Sequence, residues 1–247
     1  MKAIIDTSRI KIVWVDLDAT IIDFRGNSRR ALSRVYHEYP AINRIFGNPD
    51  EWIAAYERHN HALWALYNRA EISCSYLRVE RFIRPLAEAG MTHSEAASIT
   101  HELDRIYLDR LAEERTLVDG ALGLLQRLRE ARLTVGVLSN GFADVQHRKI
   151  ASAGIANMID ITVLSDDIGI NKPDTRLFDH AMKRSGIDDP SSHLMIGDNP
   201  ATDIEGALAA GWQAILFNPT GLLTAPQPAV SVDALADIII KRARTPE

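Results

Sequence analysis

The chain has 247 residues, 46% of them apolar, and its 28 Lys and Arg against 33 Asp and Glu give a formal net charge of −5. An acidic chain without a basic stripe is not expected to bind a nucleic acid polymer, and the single cysteine, Cys74, excludes an internal disulfide. No window approaches the ~18 apolar residues of a membrane span, and the first residues lack the apolar stretch of a signal peptide, so we expect a cytoplasmic protein.

The first strong element is a β-branched run at residues 10–15, which ends directly before Asp16. Four similar runs come much later in the chain, at residues 133–138, 159–164, 194–196 and 212–217. Nearly continuous apolar runs are typical of strands that are buried on both faces of a parallel sheet. Helical stripes lie between them, so the pattern predicts an α/β fold with a Rossmann-like, doubly wound parallel sheet.

The segment from residue 23 to residue 116 differs, because its patterns are helical, at residues 28–39, 49–67, 76–88 and 94–114. We therefore predict an α/β core formed by residues 1–22 and 117–247, with an inserted α-helical cap domain at residues 23–116. An insertion at this point is expected over the carboxyl ends of the strands, where open α/β sheets bind ligands.

Two stripes with helical spacing mark the rest of the core. Residues Ala121, Leu124, Leu125 and Leu128 predict a helix before the second strand, and residues Val232, Leu235, Ala236 and Ile239 predict a last helix after a proline-rich loop.

Four short polar segments each follow a predicted strand. They are Asp16-Leu17-Asp18-Ala19-Thr20, Ser139-Asn140-Gly141, Lys172-Pro173 and the segment from Gly197 to Asp203, which contains Asp198. Each segment alone is compatible with a turn or a helix cap. Because the carboxyl ends of parallel strands meet at one edge of a sheet, all four together indicate a functional site.

Carboxylates that converge on one crevice repel each other, by about 4 kcal/mol for a pair at ~4 Å and an effective dielectric near 20. A cation is therefore expected among them, and an all-oxygen ligand set favours Mg²⁺. A metal ion, a lysine, a hydroxyl and strand-end amides together form a receptor for a phosphoryl group. One carboxylate is then free to attack phosphorus, and another can transfer a proton.

The ordered set Asp-x-Asp-x-Thr, Ser-Asn-Gly, Lys-Pro and Gly-Asp-x-x-x-x-Asp resembles the haloacid dehalogenase superfamily. The helical insertion between the first two motifs looks like the first cap type of that family. The resemblance implies that Asp16 is the nucleophile that forms an aspartyl-phosphate. It implies that Asp18 is first the general acid and then the base that activates water, and that Thr20 orients this loop.

The same resemblance implies phosphate and metal ligands. Ser139 and the backbone amide of Asn140 would hold phosphoryl oxygens, and Lys172 would neutralise the phosphate and Asp16. Mg²⁺ would be bound by Asp16, by the backbone carbonyl of Asp18 and by Asp198, with Asp203 supporting the site without touching the metal.

The residue at position 18 discriminates within the superfamily, because true dehalogenases and phosphonatases lack an acid there. Asp18 therefore favours a phosphatase that acts on a small-molecule phosphate ester, although mutases that act on sugar phosphates retain this acid too. A phospho-receiver domain would use similar residues, but the length of the chain, the large insertion and Asp18 argue against that interpretation.

The substrate is expected to be selected by the cap. The stretch from Asn60 to Asn68 and the continuation of the second motif to Phe142 resemble a bacterial subgroup of pyrimidine 5′-nucleotidases. Trp64 and Phe142 could then form the walls of a site for a flat base, with Asn60 as its polar contact. The spacing of Leu63, Trp64 and Tyr67 is equally compatible with a cap core.

The alternative substrate class is sugar phosphates or other small phosphorylated metabolites. The sequence does not indicate an oligomeric state.

Overall fold

The computed structural model describes residues 2–242. The chain divides into two compact units at Asp23 and Thr116: the first unit contains the chain up to Asp23 and again from Thr116, and the second contains Phe24–Arg115. None of the helices within residues 2–242 is long and apolar enough to cross a membrane.

The first unit contains all the strands of the described chain, and every pairing between them is parallel. A six-stranded sheet has the order β4-β3-β2-β5-β6-β7, and β1 pairs with β8 in a separate two-stranded sheet. The strands are β1 (Ala3–Asp6), β2 (Ile12–Val15), β3 (Thr134–Ser139), β4 (Ile161–Leu164), β5 (His193–Gly197), β6 (Gln213–Phe217), β7 (Val230–Val232) and β8 (Ile238–Lys241).

Helices follow the strands of the first unit and make up the second unit. They are α1 (Phe24–Glu38), α2 (Pro40–Asn43), α3 (Pro49–Asn68), α4 (Cys74–Glu88), α5 (His93–Glu113), α6 (Ala121–Glu130), α7 (Ala143–Ser152), α8 (Thr175–Ser185) and α9 (Glu205–Ala209). The predicted α/β fold with a parallel sheet and interleaved helices is confirmed.

The central strand β2 is buried on both faces. Val13 and Val15 lie in one apolar cluster with residues of α6, whereas Ile12 and Trp14 lie in another with residues of α8. Successive side chains of a strand point to opposite faces, so this strand needs apolar residues at every position. That requirement explains the unbroken run in the sequence.

Trp14 is held from two sides. Gly136 lies opposite it on β3, where a Cβ would come within 2.3 Å of the Trp14 ring. On the other side, Trp14 Nε1 donates a 3.0 Å hydrogen bond to His193 Nδ1, and His193 stacks on Trp212 with ring centroids 4.7 Å apart. Because Trp14 precedes Asp16 by two residues, this packing fixes the end of β2.

The second unit is helical, and its core is aromatic. Trp52, Tyr56, Phe82 and Tyr107 pack with ring centroids 5.2–6.4 Å apart. Helix α5 begins with a capping box, in which the Thr92 side chain accepts from the Glu95 amide and the Glu95 carboxylate accepts from the Thr92 amide. Such reciprocal caps satisfy donors that the first turn of a helix leaves open.

The prediction of a last helix is wrong. Its segment forms β7, a short 3₁₀ turn at Leu235–Asp237 and β8. The segment is rich in β-branched residues, and β8 pairs with β1 in register from Ala3↔Ile238. The sequence pattern did not predict strand β1, whose backbone N–H and C=O groups are hydrogen-bonded through this pairing with β8.

Candidate active site

The candidate site lies at the carboxyl ends of three neighbouring strands. Asp16 directly follows β2, Ser139 is the last residue of β3, and Gly197 is the last residue of β5. Since β2 lies between β3 and β5 and all three are parallel, these ends meet at one edge of the sheet.

Lys172 joins this edge from the loop after β4. Its side chain is only 2% exposed. The ammonium donates to Asp16 Oδ1 at 2.6 Å, to Asp203 Oδ1 at 2.6 Å and to the Leu138 carbonyl at 2.8 Å. An ammonium has three donors, so every donor of Lys172 has a partner.

Asn140 holds the backbone of Lys172. Its Nδ2 donates to the Lys172 carbonyl at 3.0 Å, and its Oδ1 accepts from the Lys172 amide at 2.8 Å. This reciprocal pair connects the second and third motifs through the side chain of Asn140.

Asp198 and Asp203 complete an acidic cluster. One carboxylate oxygen from each of Asp16, Asp198 and Asp203 lies within 4.8 Å of the others. Thr20 Oγ1 donates to Asp198 Oδ1 at 3.2 Å, and Asp203 Oδ2 accepts from the Asn199 amide at 3.0 Å. A Cβ on Gly197 would lie 2.3 Å from Asp203 Oδ2, so only glycine leaves Asp203 in this position.

The cluster has more acid than its lysine can neutralise. Burial, and then repulsion from Asp203 and Asp198, raise the pKa of Asp16 well above its usual value against the opposing effect of Lys172. Burial and Asp203 likewise raise the pKa of Asp198 to about 7. Burial disfavours the charged form of Lys172, but Asp16 and Asp203 outweigh it and raise the pKa of Lys172.

The donor set fits a divalent metal ion. When ionised, the three carboxylates bring three negative charges against the one positive charge of Lys172, which leaves two to be balanced. Among the described residues, Asp16 Oδ1 accepts one side-chain hydrogen bond, from Lys172, and Asp198 accepts one, from Thr20, so each of these carboxylates keeps a lone pair for a metal ion. Carboxylate oxygens without histidine or cysteine suit Mg²⁺.

Ser139 has a hydroxyl proton available for a ligand. Its Oγ accepts from the Gly141 amide at 3.2 Å and from Gln146 Nε2 at 2.8 Å. A hydroxyl has two acceptor lone pairs and one donor. Both lone pairs are thus occupied, and because Ser139 Oγ donates to none of the residues that the structure describes, its proton can bind an anionic oxygen.

Asp18 contacts helix α7, which sequence reasoning did not connect with it. Gln146 Nε2 donates to Asp18 Oδ2 at 3.0 Å, and Lys149 Nζ forms an ion pair with Asp18 Oδ1. Both residues were missed because each stands alone in the sequence, and their three-residue spacing along a helix is common. The sequence feature that could have identified them is their position in the helix that directly follows Ser139-Asn140-Gly141.

The three predicted substrate residues lie in different units. Phe142 belongs to the first unit, where it is buried at the N-cap of α7. Asn60 and Trp64 lie on α3 of the second unit. Asn60 Oδ1 is buried and has no hydrogen-bond partner among the described residues, and Trp64 packs edge-on against Tyr67 with ring centroids 5.4 Å apart.

Comparison with known proteins gives three results. Residues 10–211 match the model of the haloacid dehalogenase-like hydrolases. The chain is 28% identical over 208 residues to pyrimidine 5′-nucleotidase YjjG of Escherichia coli, covering 83% of this chain and 85% of that protein. It is 32% identical over 161 residues to phosphoserine phosphatase of Thermus thermophilus, covering 62% and 61%.

The fold is also similar to a solved structure. The crystal structure of the HAD-hydrolase YfnB from Bacillus subtilis, bound to magnesium, superposes with a TM-score of 0.80 over 93% of this chain and 96% of that one, at 23% identity. The family match spans most of the chain and includes all four motifs. The chain therefore belongs to the haloacid dehalogenase-like hydrolases.

Proposed function

We propose that the protein is a Mg²⁺-dependent phosphomonoester hydrolase that works through an aspartyl-phosphate on Asp16. The observation that carries this proposal is the difference between the two carboxylate oxygens of Asp16. Its Oδ1 is fixed by Lys172, whereas its Oδ2 accepts no hydrogen bond from the part of the chain that the structure describes. One oxygen is thus oriented and the other is available for attack.

Asp16, Asp198 and the backbone carbonyl of Asp18 would hold Mg²⁺, with Asp203 supporting them through Lys172. When bound, the ion would supply positive charge against the phosphoryl oxygens. Lys172 adds a fixed positive charge, and the Ser139 hydroxyl adds a hydrogen-bond donor. Donors arranged before the reaction stabilise charge that develops in the transition state.

In the first step, Asp16 Oδ2 forms a bond to phosphorus while the ester bond between phosphorus and the leaving oxygen breaks. The Asp18 carboxyl transfers its proton to that oxygen, so the product leaves as a neutral alcohol. Protonation matters most when the leaving group is strongly basic.

In the second step, a water oxygen forms a bond to phosphorus and passes a proton to the Asp18 carboxylate. The bond between phosphorus and Asp16 breaks, which releases inorganic phosphate and restores both carboxyl groups. Asp18 therefore acts first as acid and then as base.

The first test is Asp16→Asn, assayed with para-nitrophenyl phosphate and Mg²⁺. We expect hydrolysis to be abolished, because an amide cannot attack phosphorus. Asp188→Asn makes the same chemical change at an exposed position and should keep full activity. Full activity in purified Asp16→Asn would refute the mechanism, and a wild-type phosphoaspartate that lasts for hours without turnover would instead fit a phospho-receiver.

We further propose that the substrate is a pyrimidine nucleoside 5′-monophosphate. The similarity to YjjG over most of both chains supports this class, and Asn60 Oδ1 is a buried acceptor to which a base could donate. The similarity to phosphoserine phosphatase, at slightly higher identity over a shorter stretch, favours another small phosphorylated metabolite as the alternative.

Parallel assays of uridine and thymidine monophosphate, phosphoserine and several sugar phosphates separate the two classes. We expect the highest kcat/KM with a pyrimidine nucleotide, and Asn60→Ala or Trp64→Ala should raise KM for that nucleotide and leave kcat/KM for para-nitrophenyl phosphate unchanged. A sugar phosphate or phosphoserine that matches the nucleotides would reject the nucleotidase assignment, while the phosphatase chemistry would stand.

A further inference from the structure

Lys149 is a second buried lysine in the first unit, and none of the four motifs contains it. Its side chain is 3% exposed, whereas 28% of the Asp18 side chain remains exposed. The ammonium pairs with Asp18 Oδ1 and donates to Gln146 Oε1 at 2.7 Å. A lysine is seldom buried so fully without a paired charge, and the paired charge here is Asp18.

Gln146 connects this ion pair with the predicted phosphate ligand Ser139. Its Nε2 donates both to Ser139 Oγ at 2.8 Å and to Asp18 Oδ2 at 3.0 Å, while its Oε1 accepts from Lys149. An amide has two donors and an acceptor, so the Gln146 side chain is used at both ends. Ser139, Gln146, Asp18 and Lys149 thus form one continuous network.

The backbone of the second motif makes room for this network. A Cβ on Gly141 would lie 2.1 Å from Gln146 Nε2 and 2.4 Å from its Cδ. Glycine at this position therefore lets the amide reach Ser139 and Asp18. Gln146 and Lys149 are three residues apart on α7, so they lie on the same face of the helix.

Both carboxylate oxygens of Asp18 are held from the side of α7. Each carboxylate oxygen has two lone pairs, so each keeps one for a proton after accepting one hydrogen bond. The ammonium and the amide together prevent the carboxylate from rotating, while its exposed part can still be reached by a ligand. This arrangement orients a proton-transferring group without blocking it.

We propose that Lys149 is the positioning residue for Asp18, and that it holds this carboxyl where its proton can reach the leaving oxygen as the bond from that oxygen to phosphorus breaks. The inference rests on the proposed phosphatase function and adds a role for a residue of α7. Lys149 acts on the leaving oxygen through Asp18, which it contacts directly and which Gln146 also holds.

The test compares para-nitrophenyl phosphate with phenyl phosphate. The two substrates have similar shapes but different leaving groups. Phenol has a pKa of about 10, like a tyrosine side chain, so phenolate needs a proton to leave easily. The para-nitrophenolate ion is a much weaker base and leaves without one. We expect Lys149→Met to lower kcat/KM for phenyl phosphate about 100-fold and for para-nitrophenyl phosphate less than about 5-fold. The ratio kcat/KM is the right quantity, because it covers only the steps up to departure of the leaving group.

A double variant separates action through Asp18 from a general structural effect. In the Asp18→Asn background, the proton donor is already absent, so adding Lys149→Met should change kcat/KM for phenyl phosphate less than about 3-fold. If Asp18 and Lys149 acted independently, the fold-losses in kcat/KM of the two single variants would multiply in the double variant. Lys149→Arg, which keeps the charge and donors, should recover at least a tenth of the lost activity.

Arg148→Met is the matched control, because it removes a cation from an exposed position of the same helix and should leave both substrates unaffected. Equal losses for both substrates in Lys149→Met, or the full multiplied loss in the double variant, would overturn the inference. Asp16→Asn in the same assay distinguishes a failure of the role of Lys149 from a failure of the proposed phosphatase function. If it abolishes hydrolysis while Lys149→Met shows no leaving-group preference, only the role of Lys149 is wrong, and if it stays active, the proposed function is wrong.

Discussion

Each unit of the protein buries a cation against a carboxylate, but the two sites differ in which charge is in excess. In the first unit, Lys172 meets two carboxylates, with Asp198 close to both. In the second unit, Arg81 is 4% exposed and shares the Asp104 carboxylate with Arg78. Acid is in excess at the first site and cation at the second.

The surroundings explain the difference. The guanidinium of Arg81 lies 5.3 Å from the ring centroids of both Phe82 and Tyr107, and aromatic faces attract cations. The excess positive charge of the second site thus faces aromatic rings of its own core. Among the described residues of the first unit, the acids beside Lys172 have no further cation, so they are suited to a cation from solution. The excess of acid beside Lys172, rather than the burial of its ion pairs, is what indicates a metal site in the first unit.

The largest effect is expected from Lys172→Met, which would leave Asp16 and Asp203 without their cation. We expect kcat/KM for para-nitrophenyl phosphate to fall at least ~10³-fold, because the charge that orients Asp16 and faces the phosphate is lost. Steady-state kinetics measure this loss. Lys183→Met, at an exposed position, is the control, and a loss below tenfold would show that Lys172 has only a structural role.

Arg81→Met tests the buried ion pair of the second unit. We expect the free energy of unfolding to fall by about 3 kcal/mol, because a buried pair is broken, although Arg78 still pairs with Asp104. Urea denaturation measures the change. At temperatures where the variant is folded, kcat for para-nitrophenyl phosphate should stay within threefold of wild type, and a tenfold drop would mean that this ion pair also serves catalysis.

Gly197→Ala perturbs the acidic cluster without removing a charge. The new Cβ would lie 2.5 Å from Asp203 Cγ, so the Asp203 carboxylate must shift from the position in which it accepts from Lys172. We expect a loss of about 2 kcal/mol in stability together with weaker Mg²⁺ activation, measured by unfolding and by titrating Mg²⁺ in the assay. Gly123→Ala on α6 is the control, since its nearest neighbour is the end of the flexible Arg127 side chain, at 3.4 Å. Unchanged Mg²⁺ activation would show that Asp203 does not support the metal site.

The smallest effect concerns His193, which is buried without a charge. Burial lowers the pKa of His193 below its usual 6.5, against smaller opposing effects of the Ile187 carbonyl and Asp189. The unfolded chain therefore binds a proton more readily than the folded protein. The stability that depends on neutral His193 is fully present above pH 6.5 and decreases as the pH falls towards the lower folded-state pKa.

His193→Gln keeps an acceptor for Trp14 and a donor for the Ile187 carbonyl but cannot titrate. We expect its free energy of unfolding to fall less steeply below pH 6.5 than that of the wild type, by up to about 1 kcal/mol per pH unit. Urea denaturation between pH 7 and about pH 5 measures both slopes. Identical slopes would mean that His193 titrates normally in the folded protein.

Much of the first unit was predictable because its signals are local. A nearly continuous, β-branched run at residues 10–15 predicted β2, which the structure has at Ile12–Val15. Such a run is expected because a strand buried on both faces needs apolar residues throughout. The predicted motifs also follow strands in the structure, so their assembly at one edge follows from parallel topology. The last helix was predicted wrongly because a short apolar segment fits a strand or a helix, and only its pairing with β1 decides between them.

The sequence by itself determined the order of strands β2 to β6 and the helical insertion after β2. It also determined the acidic residues at the strand ends and the resemblance that they carry, because each of these depends on neighbouring residues or on fixed spacing. Only the tertiary structure decided that Lys172 bridges Asp16 and Asp203, and that Gln146 and Lys149 of α7 hold Asp18. These partners are 31 to 156 residues apart in the chain. A contact over such a distance depends on how helices and strands pack, which no local pattern specifies.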